Sequence, residues 1–337
     1  MKMQAVQYTP GGPDKLYLAQ VPIPEPGDFE VRIKVYASAI NRADTLQRMG
    51  RYNPPAGTPL TLGLEAAGVI DKVGQGCPAN ISVGDRVMAL LTGGGNAEFV
   101  TCRYEQVMPV PKGLTLLQAT AIPEVWITAF QLLYTIGKLR SDDVVLIHAG
   151  GSGVGTAAIQ LVKQAGAVPI VTAGSQDKID FAKSLGAKGG INYKVENVGE
   201  KVLEITNGQG VTLILDCVGA TMYEENLKAI RLDGRWIIYG SLGGLQVNAD
   251  MSKLLAKRIS LLFTTLRFRS IQYKANLVSD FTKLSIPLFE NGSFQPIIQT
   301  SFPLKDIAAA HSMMESNQNL GKIVLNVRED DTTKEVA

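Results

Sequence analysis

One stretch of the chain, residues 144–175, constrains the fold more than any other. It reads VVLIHAGGSGVGTAAIQLVKQAGAVPIVTAGS. Residues 144–148 form an apolar run of strand length, and the apolar residues of 154–165 recur at helical spacing. A second strand follows at 170–171. A strand, a glycine-rich turn, a helix and a second strand in this order form a βαβ unit, which is the context in which such a turn binds a dinucleotide.

The small residues of the turn have separate tasks. Gly150 is expected to permit the tight turn, and Gly155 to let the helix pack close to the strand. Ser152 stands where the fingerprint has its middle glycine, and its hydroxyl is able to donate to a phosphate oxygen. An ordinary glycine-rich turn is the alternative, but the strands and helix in register favour a dinucleotide site.

The end of the second strand indicates which dinucleotide binds. An NAD site places a carboxylate there for the ribose hydroxyl, whereas this chain has Ala173, Gly174 and Ser175. Ser175 and Lys178 suit the 2′-phosphate of NADPH, because charge-assisted hydrogen bonds to phosphate are strong. Asp177 weakens the positive field, or serves only as a favourable charge at a helix N-terminus, and Lys178 has the alternative of a solvated surface lysine. The sequence therefore predicts NADPH as cofactor.

The pattern of the chain changes near residue 121. Up to 120, short Val/Ile-rich runs separated by Gly and Pro predict an antiparallel β domain. Over 121–266, strands alternate with helices, which predicts a doubly wound parallel sheet. The remaining segment, 267–337, contains a predicted helix over 270–290, a second helix and a strand, and is expected to pack back on the β domain. Its polar tail, REDDTTKEVA, is expected to be frayed.

Composition excludes several classes of protein. A net charge of +2 is too small to indicate a nucleic-acid or membrane partner. No apolar run is expected to reach the ~18–20 residues that span a bilayer, and the N-terminus lacks the apolar segment of a signal peptide. Cys77, Cys102 and Cys217 lie far apart without a CxxC pair, which favours a reducing, cytosolic compartment.

The order of these parts resembles the medium-chain dehydrogenases and reductases. The zinc alcohol dehydrogenases of that superfamily have a ligand Cys in a C-x-x-D string and a ligand His in a G-H-E-x-x-G string. This chain has NRAD, with Asn41 in the Cys position, and GLEAAG, with Leu64 in the His position. Zinc binds through sets of Cys and His, so no zinc site is expected. Without a Lewis acid, the hydride acceptor must already be electron-poor, such as a quinone or an activated alkene.

Motifs along nearly the whole chain carry a narrower resemblance. The strings SAINRADTLQRMGRYNPP, ALLTGGGNAEFV, AIPEVWITAFQLL, LIHAGGSGVGTAAIQL, VTAGSQDK and LGKIVL are similar to those of the zinc-independent NADPH:quinone oxidoreductases. The serine in the glycine turn belongs to the pattern of that group. The resemblance implies an α/β fold with a GroES-like catalytic domain (1–120 and 267–337) and a Rossmann domain (121–266).

The resemblance also implies cofactor contacts, matched motif by motif. The residues implied at the pyrophosphate are Ser152, Gly153, Val154 and Gly155. Those implied around the adenosine 2′-phosphate are Gly174, Ser175, Lys178 and Tyr193. Those implied beside the ribose and nicotinamide are Cys217, Val218, Gly219, Gly240, Ser241, Leu242, Phe263, Thr264 and Thr265. Those implied to close over the cofactor are Asn319 and Lys322.

On the substrate side, the resemblance implies Asn41, Tyr52 and Thr128. The predicted reaction is hydride transfer from NADPH to a quinone, with ortho-quinones favoured. Asn41 and Tyr52 are expected to donate hydrogen bonds to the oxygen that gains charge, and the proton comes from solvent or from Tyr52. Tyr193 has the alternative of a plain edge aromatic, and Cys217 that of a small core residue.

Two other functions stay open at this point. One is an alkenal or enone reductase, which shares the cofactor and fold and differs in its acceptor pocket. The other is an NADPH-binding protein with a structural or regulatory role, since a fold does not determine a function. The string ISLLFTTLRF predicts a long apolar edge strand, a liability unless it is paired. Because the related enzymes join their nucleotide sheets at such an edge, a homodimer is predicted.

Overall fold

The computed structural model describes residues 1–329. Residues 330–337, which include most of the tail predicted to be frayed, lie outside the described part. The chain divides into two compact units. The first unit comprises Met1–Ile127 and Arg267–Ala337, and the second comprises Thr128–Leu266. The catalytic and cofactor-binding roles expected for them stay predictions.

Within residues 1–329 the strands are β1 (Lys2–Tyr8), β2 (Leu16–Pro22), β3 (Glu30–Ile40), β4 (Glu65–Val73), β5 (Arg86–Leu90), β6 (Phe99–Arg103), β7 (Val107–Pro109), β8 (Val144–Ile147), β9 (Val168–Ala173), β10 (Gly189–Asn192), β11 (Val211–Asp216), β12 (Ile230–Ile238), β13 (Ser260–Phe263), β14 (Ile298–Pro303) and β15 (Lys322–Asn326). The α-helices of the same part are α1 (Arg42–Arg48), α2 (Leu116–Ala119), α3 (Pro123–Phe130), α4 (Gly153–Gln164), α5 (Gln176–Leu185), α6 (Val198–Ile205), α7 (Tyr223–Ala229), α8 (Met251–Lys257), α9 (Ile271–Glu290) and α10 (Ile307–Glu315). A π-helical segment, Gln131–Ile136, continues α3, and single 3₁₀ turns lie at Pro13–Lys15, Tyr104–Gln106, Ala220–Met222 and Leu304–Asp306.

The second unit is built on a six-stranded sheet in the order β10-β9-β8-β11-β12-β13, with every neighbouring pair parallel. Counted along the chain, this is the 3-2-1-4-5-6 order of dinucleotide-binding folds. The central strands β8 and β11 are apolar runs because helices cover a parallel sheet on both faces. The strand order reverses between β8 and β11, so their carboxyl ends flank the crevice in which such sheets bind ligands.

The strand β13 lies at the edge of this sheet, as predicted, but it is short. It spans four residues and pairs with β12. The chain leaves the ladder after Phe263, whose side chain is 68% exposed, and the amide of Thr264 donates to the carbonyl of Ile238 (3.1 Å). The prediction of a long edge strand was therefore wrong in length, because the apolar residues that follow belong to an irregular segment.

The first unit is built on a seven-stranded, mainly antiparallel sheet in the order β14-β15-β3-β4-β5-β7, with β6 also paired to β3. Most residues of β3 alternate between buried and half-buried positions, the period expected of a strand with one face on the core. The C-terminal part of the chain returns to this sheet, because β15 pairs antiparallel with β3. Trp126 lies in the core of this unit, with the rings of Phe289 and Phe294 at 4.7 and 4.8 Å.

One helical stretch, Leu116–Ile136, corrects the expectation that no segment would reach the length of a membrane span. By length and composition it is able to cross a bilayer, but 78% of its apolar window is buried inside the protein. The core helix of a globular protein passes the same test, so this stretch is weak evidence for a membrane span.

Candidate functional site

The glycine turn, residues 149–155, joins β8 to α4 in the second unit. Ser152 is the N-cap of α4, and its hydroxyl oxygen accepts the backbone N–H of Gly155 (3.0 Å). The contact of the Ser152 hydroxyl with a phosphate oxygen stays a prediction. The left-handed residue of the turn is Ala149, at φ 55°, and not Gly150. Gly150 is nevertheless required to be glycine, because a Cβ there would clash with Val171.

Glycine is required at two positions of this turn because neighbouring atoms lie too close for a side chain. A Cβ on Gly155 would lie 2.4 Å from the carbonyl oxygen of Ala149 and 2.8 Å from the backbone of Gly150. A Cβ on Gly150 would lie 2.6 Å from the Cβ of Val171 on β9. Real side chains do not tolerate such distances, so the helix, turn and neighbouring strand are as close as only glycine allows. This leaves a backbone cradle of the kind that holds a pyrophosphate at a helix N-terminus.

Lys178, in the first turn of α5, lies beside the glycine turn, and Lys194 lies beside Gly174 after β9. A Cβ on Gly151 would meet the side chain of Lys178 at 3.1 Å, and a Cβ on Gly174 would meet the Tyr193 hydroxyl at 2.7 Å and Lys194 at 3.2 Å. Burial lowers the pKa of Lys178, and repulsion from Lys194 lowers it further. The structure thus brings Gly174, Tyr193 and Lys178 together and adds Lys194, which the sequence analysis did not single out.

The predicted ribose and nicotinamide segments lie where β11, β12 and β13 end. The backbone amide of Leu242 donates to the carbonyl of Cys217 (3.1 Å), and that of Gly243 donates to the carbonyl of Val218 (2.7 Å). Gly219 adopts φ 81°, which favours glycine. Loops 217–219 and 240–242 are therefore held together, as the shared role predicted for them requires.

The other residues implied beside the ribose and nicotinamide differ in burial. Val218, Gly219, Gly240 and Ser241 are half-buried, whereas Phe263 and Thr265 are exposed and Thr264 is buried. Cys217 is buried, which agrees with its alternative as a small core residue.

Below these loops, a hydrogen-bonded chain of buried polar residues connects β8, β11 and α7. His148 contacts Thr172 through Nδ1 (3.0 Å) and Asn226 through Nε2 (2.7 Å). The Asn226 amide donates to Asp216 (3.0 Å), whose other carboxylate oxygen accepts the backbone N–H groups of Val218 (2.7 Å) and Gly219. His148 is thus a satisfied structural residue, and Asp216 supports the loop predicted to contact the cofactor.

In the first unit, Asn41, Glu65 and Lys322 form a buried cluster, referred to below as the Asn41 cluster. The Asn41 amide donates to Glu65 Oε1 (2.8 Å), and the Lys322 ammonium donates to Asn41 Oδ1 (2.8 Å). Lys322 Nζ also lies 2.6 Å from Glu65 Oε1 and donates to the carbonyl of Ile40 (2.9 Å). The three donors of the ammonium are therefore used inside this cluster, and the Asn41 side chain is held in one orientation.

The same unit carries two carboxyl groups with raised pKa values. Desolvation raises the pKa of Asp44 to about 6, although its carboxylate accepts the backbone N–H groups of Asn41 (2.8 Å) and Gly63 (2.9 Å). Desolvation, with repulsion from Glu65 as the next cause, raises the pKa of Glu124 to about 8. Glu124 therefore holds a proton at neutral pH. Perturbed acids of this kind cluster at functional sites.

Tyr52 lies half-buried in a loop of the first unit. Its ring meets that of Phe268 edge-on at 5.5 Å, and the guanidinium carbon of Arg267 lies 5.6 Å from the ring centre. Desolvation, followed by the charge of Glu124, raises the pKa of Tyr52 to about 12. The phenol therefore keeps its proton at neutral pH, so it serves as a hydrogen-bond donor and is a poor acid.

Asn319 and Thr128 complete the set of residues predicted from the sequence. Asn319 is buried and donates to the carbonyl of Gly321 (3.0 Å), so it holds the turn that precedes β15. Thr128 is half-buried on α3, in the second unit. Within the first unit the structure joins Asn41 with Lys322 directly, and the roles of Asn319 and Thr128 stay predictions.

The sequence analysis missed Glu65, Glu124, Arg267 and Lys274 as functional residues. Glu65 was noted only as a retained position of the GLEAAG string. Glu124 is a single charge in the apolar string AIPEVWITAF, which is a signal that the sequence offered. Arg267 and Lys274 stand in the polar segment RFRSIQYKAN and have no such signal. No group of three or more His, Cys, Asp or Glu side chains that could hold a metal ion occurs in residues 1–329.

Comparisons with known proteins identify the family. The alcohol dehydrogenase GroES-like domain matches residues 27–112, and the zinc-binding dehydrogenase family matches residues 153–282. A 2-haloacrylate reductase of a Burkholderia species is 31% identical, over 96% of this chain and 99% of the relative. The quinone oxidoreductase of Salmonella typhimurium is 33% identical, over 94% of this chain and 96% of the relative. The crystal structure of Escherichia coli quinone oxidoreductase complexed with NADPH has a TM-score of 0.85 at 29% identity, over 96% of this chain and 99% of that chain.

A GroES-like domain and a Rossmann-type parallel sheet in one chain define an α/β oxidoreductase, and the predicted fold class is confirmed. The chain belongs to the medium-chain dehydrogenase/reductase superfamily, as one of its quinone oxidoreductase-like members.

Proposed function

We propose that this chain is an NADPH-dependent quinone reductase that works without zinc, with ortho-quinones as its favoured acceptors. The observation that carries the proposal is the Asn41 cluster, in which a buried ammonium is bonded to the residue at the position of the first zinc ligand. A fixed cation there repels a metal ion, and the buried Leu64 offers no ligand atom. The donor set does not fit zinc, so the acceptor must be electron-poor.

The glycine turn fits a dinucleotide because only glycine allows its close packing and because α4 begins directly after it, with the amides of Gly153 and Val154 at the helix N-terminus. Ser152, Gly153, Val154 and Gly155 would hold the pyrophosphate. Lys178 and Lys194, with Ser175 and Tyr193, would hold a 2′-phosphate, since two cations stand where an NAD site has a carboxylate. The NADPH complex of the related Escherichia coli enzyme supports this choice.

When bound, NADPH supplies a hydride to the acceptor. The chain contributes orientation and hydrogen bonds. The Asn41 amide, held by Lys322 and Glu65, would present its remaining N–H to the oxygen that gains charge. Tyr52 would donate a second hydrogen bond without releasing its proton, because its pKa is about 12. Of the two proton sources that the sequence left open, we therefore favour solvent.

Reduction of an activated alkene is the second candidate. The observation that favours it is the similarity to the 2-haloacrylate reductase, at 31% identity over 96% of this chain. Both reactions use the same hydride donor and differ in the acceptor, so one assay compares them.

The assay follows the loss of NADPH absorbance with ortho-naphthoquinone or chloroacrylate as acceptor, with NADH in parallel. Faster turnover of the quinone with NADPH is the expected result. Faster turnover of the alkene would replace the quinone assignment, and equal rates with NADH would remove the 2′-phosphate site. Tight NADPH binding without turnover of either acceptor would indicate a non-catalytic, regulatory protein.

We also propose a homodimer joined at β13, as the sequence suggested. Support comes from the edge position of β13, from the exposed Phe263 on it, and from exposed apolar residues in the segment that leads to it, Leu242, Leu245 and Leu255. Light scattering at micromolar concentration tests the dimer, and a mass of one chain per particle would contradict it.

We further propose a cytoplasmic location. Among related enzymes, we propose that the chain is most like the quinone oxidoreductases induced by a tumour suppressor.

A further inference from the structure

Arg267 is a buried cation with an incomplete set of partners. The residue follows β13 in the sequence and belongs to the first unit, and it is 4% exposed. Its Nε donates to the carbonyl of Thr92 (2.8 Å), but both terminal nitrogens, Nη1 and Nη2, are buried without a hydrogen-bond partner among residues 1–329. Leaving charged donors unpaired inside a protein is costly. A side chain kept in this state is typical of a binding site whose ligand completes it.

A second buried cation lies in the same region. Lys274, on α9, is 4% exposed, and burial is the main cause that lowers its pKa. The charge of Arg267 lowers the pKa of Lys274 further, so the two cations repel one another. The region therefore has positive charge that an anion would offset.

The nearby acids leave this charge largely uncompensated. Both oxygens of Asp44 accept backbone N–H groups, and Glu124, with a pKa of about 8, is neutral at physiological pH. Arg267 forms no ion pair within residues 1–329, although Asp44, Tyr52 and Glu124 are the groups whose charges act on it. The charge of Asp44 acts on Arg267 from a distance, but none of these groups accepts a hydrogen bond from its two terminal nitrogens.

We propose that the Arg267 guanidinium, assisted by the Lys274 ammonium, binds a carboxylate carried by the hydride acceptor. Two free terminal nitrogens form a planar fork that matches two carboxylate oxygens, and a carboxylate brings the negative charge that the carbonyl oxygens of a neutral quinone lack. The Tyr52 ring, 5.6 Å from this guanidinium, connects the site with the residue proposed to contact the acceptor. The inference rests on the proposed function and narrows it to acidic quinones or acidic alkenes.

The first test compares acceptors that differ only in charge. The pairs are chloroacrylate with chloroacrylamide, and carboxylated with plain ortho-naphthoquinone. Arg267→Met is expected to raise KM for the acid of each pair by ~10- to 100-fold, the value of one or two charge-assisted hydrogen bonds, and to leave KM for the neutral acceptor unchanged. Arg269→Met, which removes the same charge two residues away, is the matched control and is expected to change neither.

An equal rise in KM for the acid and the neutral acceptor would overturn the inference, because a merely structural role of Arg267 would affect both. Thermal unfolding of the variant identifies such a role directly: the expected midpoint is equal to or above that of the wild type, since the substitution removes a buried charge that has one partner. Arg267→Lys keeps the charge but loses the fork, and we expect it to restore the KM for the acids in part.

Direct binding separates this inference from the proposed function. Calorimetry with chloropropionate, the saturated acid, is expected to show binding to the wild-type protein and none to Arg267→Met, with chloropropionamide as the neutral control. Acid binding without turnover of any acceptor would leave the anion site intact and overturn the reductase. Turnover of neutral quinones without binding of the acid would support the reductase and overturn the carboxylate site. Turnover of neutral quinones with phosphate bound as tightly as the acid would also overturn a site specific for carboxylates.

Discussion

The glycine turn and the Asn41 cluster are built by opposite means. The turn is a continuous segment, residues 149–155, in which backbone groups and missing side chains form the surface. The Asn41 cluster joins side chains from residues 41, 65 and 322, all buried and two of them charged. The glycine turn, proposed to bind the cofactor, therefore depends on the absence of side chains. The Asn41 cluster, proposed to contact the acceptor, depends on buried charges that balance one another. Substitutions should therefore fail for different reasons in the two regions.

The largest expected effect is on stability, in the Asn41 cluster. Lys322→Met leaves Glu65 as an uncompensated buried carboxylate, and such a change lowers the free energy of unfolding by about 3–5 kcal/mol. Urea denaturation measures the loss. Adding Glu65→Gln removes the unpaired charge and should recover at least half of it. Lys201→Met, which breaks the exposed pair with Glu204, is the control and should cause no measurable change.

The next effect is on cofactor affinity, in the glycine turn. Gly155→Ala forces a methyl group against the backbone of the turn, where overpacking costs about 1–3 kcal/mol, or roughly 10- to 100-fold in the Kd for NADPH. Gly151→Ala meets only the side chain of Lys178, which is able to move, and should weaken binding much less. Fluorescence titration with NADPH compares the two. Equal losses of affinity in the two variants would show that NADPH binding does not depend on the close backbone approach at Gly155.

The smallest effect is a pH dependence. Below pH 8 Glu124 is neutral and leaves Arg267 and Lys274 free for an acidic acceptor; above it, its carboxylate competes. The KM for chloroacrylate should therefore rise about tenfold as pH increases through about 8, while that for chloroacrylamide stays level. Glu124→Gln should remove the rise.

The groups that also titrate around Glu124 determine how this experiment is judged. Glu65, Asp44 and Tyr52 face it with Lys322, Arg267 and Lys274. Asp44, with a pKa of about 6, acts at lower pH, and Tyr52, with a pKa of about 12, at higher pH. A rise near pH 8 that persists in Glu124→Gln would show that Glu124 is not the group that titrates.

Local spacing was sufficient to predict much of the second unit. The alternation of strands and helices predicted the parallel sheet, and the absence of a carboxylate after β9 agrees with the lysines found there. The sequence did not show that Ala149 is the left-handed residue of the turn, because this conformation is uncommon for a residue with a Cβ. Lys194 was missed, since its proximity to Lys178 arises from the pairing of β9 with β10.

The sequence by itself determined the βαβ turn, the fold class and the missing zinc ligands, because each follows from residue types at fixed spacing along one segment. Only the tertiary structure decided that Lys322 is bonded to Asn41 and Glu65, that Glu124 holds a proton, and that Arg267 is buried with two free nitrogens. The reason is physical. The charge state and hydrogen-bond partners of a buried group depend on desolvation and on neighbours from distant segments, and neither exists until the chain has folded.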